Sequence, residues 1–331
     1  MYTKSLRDLE EISEIIHPFS DSLRNTKVQI IGATGYVGRW LTEALIFHSN
    51  RFGLNTRISC LGRTSVKELD SYVIFHEFDF NNPSLEFELA DLVFFAATPS
   101  QPRTGGQLTS AVLNSIDIGL RSLVRRYSES NKVVRFVNCS SGAVQAIENN
   151  LQLDSREILK MVKLAEDPKT VYRDSKLLSE KLVLNANMSD NFTGTNARLW
   201  TFYGLGISID SHFAIGNFMR NAISRESVKV NGNPETRRSY MYPTNMVGAL
   251  IQAAFTSESP SLNIGSYESV TIGDLAHLIT DVFQLNSVEY LNPSSSPTTY
   301  FPVESRTDLK FEFENVKLVD GLQRWHSDLI A

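Results

Sequence analysis

Hydrophobic and polar positions along this chain switch between two periods, and each switch marks an element. Residues 5–23 carry Leu6, Leu9, Ile12, Ile15, Ile16, Phe19 and Leu23 at largely helical spacing with acidic residues between them, which predicts an amphipathic helix packed on the outer surface of the domain. Val28-Gln29-Ile30-Ile31 then reads as a short β-branched strand, and Arg39-Trp40-Leu41-Thr42-Glu43-Ala44-Leu45-Ile46 as a helix. Further strands are expected over 57–61, 72–78, 91–97 and 132–139, and helices over 105–130 and 168–187. Apolar strands alternating with helices predict an α/β fold whose parallel sheet is covered on both faces. From about Asn191 the pattern loosens into a strand over 195–203, a helix over 213–224, a strand over 227–230 and helices over 245–257 and 272–284. Asn292-Pro293-Ser294-Ser295-Ser296-Pro297 reads as a loop.

Composition narrows the class. With 331 residues, 42% hydrophobic and 21% charged, the chain has the make-up of an ordinary soluble enzyme with room for two lobes. A net charge of −5 with both signs interspersed gives no support to a nucleic-acid or membrane partner. The first residues lack the apolar core of a secretory signal, and no stretch reaches the roughly 18 apolar residues of a membrane span, so a cytoplasmic location is expected. Cys60 and Cys139 both sit in apolar strand-like runs, which argues against a disulfide framework. The six histidines show no ligand spacing, so no metal is expected.

Candidate chemistry begins at Gly32-Ala33-Thr34-Gly35-Tyr36-Val37-Gly38, between the first strand and its helix. Gly32 permits the sharp turn, Gly35 lets backbone approach a pyrophosphate, Gly38 lets helix and strand pack closely, and the helix N-terminus favours the negative charge. The run therefore predicts a dinucleotide site, the bland alternative being a turn without ligand. Ile58-Ser59-Cys60-Leu61 ends in Gly62-Arg63-Thr64-Ser65, with no Asp or Glu to accept from a ribose 2′-hydroxyl. Arg63 suits a 2′-phosphate instead, which favours NADP over NAD; a solvated loop arginine is the alternative. Asp79 and Phe80 fall where an adenine could be met, although an isolated Asp more often shapes a turn.

A second constellation lies in Val171-Tyr172-Arg173-Asp174-Ser175-Lys176. Four residues apart on a helix, Tyr172 and Lys176 share one face. A phenol of reference pKa about 10 becomes a usable acid/base when an ammonium and a nicotinamide cation stand nearby. Val137-Asn138-Cys139-Ser140-Ser141-Gly142 supplies hydroxyls at the end of the fifth strand, facing the same crevice.

With these motifs the chain resembles the extended short-chain dehydrogenase/reductase family, in particular its nucleotide-sugar epimerases, dehydratases and reductases. The likeness runs from about residue 27 to 325. It includes Ala96-Ala97-Thr98, Arg198-Leu199-Trp200-Thr201-Phe202-Tyr203-Gly204, Gly232-Asn233, Arg238-Ser239-Tyr240-Met241-Tyr242 and Leu262-Asn263-Ile264-Gly265-Ser266. It implies a Rossmann-like doubly wound parallel sheet with a smaller C-terminal substrate-binding lobe: residues 1–25 a helical extension, 26–190 the dinucleotide-binding domain, 191–331 the substrate lobe interleaved with the last elements of the sheet. By the same resemblance Gly32, Thr34, Gly35, Tyr36, Val37, Gly38, Arg63, Asp79, Phe80, Ala96 and Ala97 hold the cofactor. Ser141 polarises a sugar oxygen, Tyr172 is the acid/base, and Lys176 holds the ribose and tunes Tyr172. Thr98, Ser140, Thr201, Asn217, Arg238 and Tyr300 would meet the nucleotide-diphosphate sugar. Relatives often carry an arginine before Tyr300, where this chain has Ser294-Ser295-Ser296, and Arg306 is a possible substitute.

Dehydratases of this family place an Asp-Glu pair just after the catalytic Ser/Thr and decarboxylating relatives keep a Glu there, whereas this chain has Gly142-Ala143. The expected reaction is hydride transfer at a sugar carbon, with C4 reduction of a 4-keto-6-deoxy sugar by NADPH ahead of NAD-dependent 4-epimerisation. A non-catalytic dinucleotide sensor is the reading from another class, and a reductase of hydrophobic ketones is disfavoured by the Arg238 and Asn263-Ile264-Gly265 segments. The resemblance also implies a homodimer through the helices at 105–130 and 168–187.

Overall fold

The computed structural model describes residues 5–65, 67–97, 106–210, 213–291, 296–303, 310–311 and 313–331. In chain order the elements are α1 (Leu6–Ile15), α2 (Ser20–Leu23), β1 (Lys27–Ile31), α3 (Tyr36–Phe52), β2 (Arg57–Gly62), β3 (Ile74–Glu77), β4 (Leu92–Phe95), α4 (Gly106–Asn114) and α5 (Arg121–Ser128). They continue with β5 (Val134–Ser141), α6 (Ser155–Leu164), α7 (Pro168–Ala186), β6 (Phe192–Leu199), α8 (Ala214–Ser224), β7 (Val228–Val230), β8 (Arg237–Ser239), α9 (Pro243–Thr256) and β9 (Ser261–Ile264). The last are β10 (Ser269–Thr271), α10 (Ile272–Phe283), β11 (Val288–Tyr290), β12 (Thr299–Tyr300) and α11 (Leu318–Ile330). The chain forms two compact units: Met1–Leu199 with Val247–Asn263 and Thr307–Lys310, and Trp200–Met246 with Ile264–Arg306 and Phe311–Ala331.

The first unit is built on a seven-stranded sheet of order β3-β2-β1-β4-β5-β6-β9, with parallel pairing from β3 through to β6. Strand order reverses between β1 and β4, which is the switch point where ligands of open α/β sheets bind. The central strands read as continuous apolar runs because helices cover both faces: Leu92-Val93-Phe94-Phe95 of β4 is entirely buried. A core of Ile31, Phe78, Phe95, Leu120, Phe136, Leu177 and Phe192 fills one side.

The helix expected over 5–23 is broken. Pro18 has no N–H to donate and restricts His17, so α1 ends at Ile15 and a 3₁₀ turn over His17–Phe19 leads into α2. The segment packs on α3 through Leu9, Ile12, Ile16 and Leu23. His48 of α3 fixes it, its Nδ1 2.9 Å from Ser13 Oγ and its Nε2 3.1 Å from Ser20 Oγ. Burial lowers the His48 pKa to about 4, so the ring is neutral at pH 7. The stretch expected as one helix over 105–130 is described from Gly106 and contains a π-helical turn at Ser115–Leu120. Pattern reading had no place for α6, although its start carries a capping box in which Asp154 Oδ1 accepts from the Glu157 N–H and the Glu157 carboxylate accepts from the Asp154 N–H.

The second unit has a three-stranded sheet, β10-β8-β12, and a pair, β11-β7. Helices α8, α10 and α11 enclose a core of Tyr203, Phe218, Tyr242, Leu275 and Trp325. Among the described residues no helix is long and apolar enough to cross a membrane, and no group of three His, Cys, Asp or Glu is placed to hold a metal ion. Both cysteines are buried and free.

Candidate active site

At the carboxyl end of β1, missing side chains make the site. Gly32 has φ +89°, a left-handed conformation, and a Cβ there would come within 2.8 Å of the Ala97 backbone and 2.9 Å of that of Ala96, at the end of β4. A Cβ on Gly38 would stand 2.2 Å from the Gly32 carbonyl oxygen. The turn closes by a hydrogen bond from Gly35 N to Gly32 O at 3.0 Å. Gly35 is the N-cap of α3 and offers no side chain to its first N–H groups, so the start of this 17-residue helix suits an anion. Thr34 and Gly35 are exposed; Tyr36 and Val37 are half-buried. The residues present therefore suit a dinucleotide.

Arg63 follows β2, exposed and without a hydrogen bond or ion pair among the described residues. Asp79 is exposed, and its Oδ1 accepts from the backbone and side chain of Asn81, as a turn residue does. Phe80 lies edge-on to Phe78 and Phe95 and against Gly119 of the π-helical turn, so its ring joins the rim of the core. Thr98, Ser294, Ser295 and Arg306 lie outside the described residues.

The residues expected to handle a proton lie on α7 and at the end of β5. Asp167 caps α7 by accepting from Thr170 N, and Pro168 sits in its first turn. Tyr172 is half-buried one helical turn before Lys176, whose Nζ lies 5.9 Å from the phenol ring centroid. Lys176 is buried and donates to the Cys139 carbonyl at 2.6 Å. Desolvation pulls its pKa down to about 8, opposed by Cys139 and Glu180, while burial pushes the Cys139 thiol up to about 12. Ser141 Oγ accepts from Ala143 N at 3.2 Å. The Ser140 hydroxyl, expected beside the substrate, donates at 2.7 Å to Glu180 Oε1 of α7.

In the second unit, β12 pairs with β8 and sets Tyr300 beside Arg238. Tyr300 packs on Trp200 at 4.7 Å between ring centroids. The half-buried Arg238 guanidinium donates to the Arg237 and Thr298 carbonyls and to Thr298 Oγ1, with no carboxylate partner among the described residues; desolvation lowers its pKa. Asn217, in the first turn of α8, is half-buried and its side chain makes no hydrogen bond to the described residues. The Thr201 carbonyl accepts from Met241 N at 3.0 Å. Sequence reading passed over Glu180 and Arg198, which lie directly behind the strand-end serines.

A doubly wound parallel sheet with a glycine turn at its switch point defines a Rossmann-type protein. The chain belongs to the NAD dependent epimerase/dehydratase family, whose profile matches residues 28–265. A curated relative, UDP-glucuronic acid decarboxylase 3 of Arabidopsis thaliana, is 26% identical over 165 residues, covering 48% of this chain and 48% of the relative. The chain thus spans about half the length of the curated relatives it matches first. Among solved structures, UDP-N-acetylglucosamine 4-epimerase from Methanobrevibacter ruminantium M1, in complex with UDP-N-acetylmuramic acid, superposes with a TM-score of 0.73 at 20% identity, covering 93% of this chain and 99% of that one. UDP-glucose 4-epimerase of Thermotoga maritima, with UDP-glucose, gives 0.70 at 16% identity over 92% and 98%. At these identities the likeness is one of fold.

Proposed function

We propose that the protein is an NADP(H)-dependent oxidoreductase that reduces C4 of a nucleotide-linked 4-keto-6-deoxy sugar. The observation that carries this reading is the conjunction of Tyr172, Lys176 and Ser141 with Gly142-Ala143, where eliminating and decarboxylating relatives need an acid. Gly32, Gly35 and Gly38 would cradle the dinucleotide at the N-terminus of α3, and Arg63 would pair with a 2′-phosphate. The nicotinamide, when bound, supplies the hydride. Ser141 donates a hydrogen bond to the sugar oxygen, Tyr172 gives that oxygen its proton, and the Lys176 ammonium stabilises the phenolate left behind. Arg238, a guanidinium with no carboxylate partner among the described residues, suits a diphosphate, and the Tyr300–Trp200 pair offers an aromatic surface for the nucleoside. A hydrophobic ketone would leave Arg238 without a task.

NAD-dependent 4-epimerisation is the second reading, favoured by the family match and by the UDP-sugar 4-epimerases among the similar folds. One assay separates the two. Purified protein is given NADPH or NADH with a nucleotide-linked 4-keto-6-deoxy sugar, and separately a nucleotide sugar with no added cofactor. Oxidation of NADPH with formation of the 4-hydroxy sugar is expected. Interconversion of two nucleotide sugars without net redox change would sink the reductase, and neither activity would sink both.

A further inference from the structure

Behind the strand-end serines lies a buried polar seam. In the β5–β6 register Asn138 stands opposite Asn196 and Ser140 opposite Arg198, all buried, so alternate positions of two strands put four polar side chains on one face. Against that face α7 sets Lys176, Ser179 and Glu180, also buried. Three consecutive residues of β5 each bond to the helix: Asn138 Nδ2 to Ser179 Oγ at 3.0 Å, the Cys139 carbonyl from Lys176 Nζ at 2.6 Å, and Ser140 Oγ to Glu180 Oε1 at 2.7 Å. Arg198 closes the seam with a bidentate pair, Nε to Glu180 Oε1 at 2.9 Å and Nη2 to Oε2 at 2.8 Å.

A fully buried ion pair is a poor device for stability alone, since well-packed apolar residues of similar volume hold an interface at least as well. What it adds is direction. Apolar contact lets a helix turn or slide on a sheet, whereas a bidentate fork fixes both its rotation and its register. A rotation of α7 by about 10° would carry a phenol oxygen standing about 9 Å from the helix axis through about 1.5 Å. A misplacement of about 1 Å costs on the order of a hundredfold in rate.

We propose that Glu180 and Arg198 are positioning residues that, with Ser140, clamp the end of β5 to α7 and so set Ser141 against Tyr172 and Lys176. This rests on the reading of those three as the catalytic group. Glu180 is one helical turn beyond Lys176, and Ser140 is the immediate neighbour of Ser141, so the clamp reaches each through a single rigid connection.

The test uses the full chain with NADPH bound. Replacing both charges together, Glu180→Met with Arg198→Met, removes the clamp without leaving a buried charge unpaired. The expected variant folds, keeps its NADPH affinity within about twofold, and loses about tenfold or more in kcat with KM within about threefold. Ser140→Ala is expected to lose a smaller factor in kcat, and Ser140→Thr, which keeps the hydroxyl, to recover it. An unchanged kcat in the folded double variant, or a Ser140→Ala loss that threonine does not recover, overturns the proposal. Should the double variant not fold, the Ser140 pair decides. If the natural protein turns over no nucleotide sugar, the functional reading fails by itself. Amide hydrogen exchange over residues 171–176 then reads the clamp, being faster in Ser140→Ala than in Ser140→Thr, and equal exchange overturns it.

Discussion

The glycine turn after β1 and the polar seam under α7 are built by opposite means. At the turn, side chains are absent where backbone comes close: a single methyl on Gly38 would collide with backbone, and the start of α3 has no side-chain cap. At the seam, side chains are in surplus: Asn138, Ser140, Asn196, Arg198 and Glu180 are buried where apolar residues would pack as well. The contrast teaches that the turn is built for close approach of backbone, whereas the seam is built from directional bonds.

The largest effect should come from Tyr172→Phe, which removes only the phenol oxygen. We expect kcat to fall about 10²–10⁴-fold with NADPH affinity within about twofold. A protein that only senses the dinucleotide would lose nothing, so retained function after this change removes the enzymatic reading. Gly38→Ala should do the reverse, abolishing cofactor binding in a fluorescence titration. Denaturant unfolding should show a loss of about 1–3 kcal/mol, because the clash at 2.2 Å is with a carbonyl that cannot move alone. If this variant keeps its cofactor, the turn is not the binding element. Arg63→Ser should weaken NADPH about tenfold and leave NADH unchanged, as expected for one lost charge-assisted hydrogen bond. Equal affinities before and after would return the choice of cofactor to NAD.

The smallest effect is one of pH. Lys176 titrates near 8 in the fold and at 10.5 as a free side chain. Above about 8 the ammonium is lost, so kcat/KM should decline there. Between 8 and 10.5 the unfolded chain binds a proton that the folded one has released, so this group's contribution to stability rises with pH across the same window. Activity should therefore fall across that window while the melting temperature of the natural protein gains on that of Lys176→Met. A melting temperature that falls equally in both proteins across that window would refute the assignment.

Much of the turn was legible in the sequence, because a glycine that must be glycine leaves a mark at the letter level, and β-branched residues before it and a helical stripe after it supply the context. Tyr172 and Lys176 were legible for a similar reason, a spacing of four on an apolar-faced helix. The seam was not. Asn138, Ser140 and then Asn196, Arg198 are polar at alternate positions, a pattern that ordinarily marks a solvent face. Only the pairing of β5 with β6 turns the two sets toward each other and toward α7. The single long helix expected over 5–23 failed at Pro18, a breaker visible in the sequence but outvoted by the stripe on either side. Helix α6 was missed despite Asp154 and Glu157 standing at capping-box spacing. Helix α11 was passed over although Leu318, Leu322, Trp325 and Leu329 mark one face.

Arg63 holds on to nothing among the described residues, and that isolation has a consequence for how such a protein changes over time. A residue that supports no neighbour can be replaced without disturbing the sheet, the turn or α7. If Arg63 selects the coenzyme, as proposed above, that selection is written in one side chain at the rim, detachable from the rest of the fold. A lineage could move this protein from one coenzyme pool to the other by a single substitution and leave the machinery beneath it as it was.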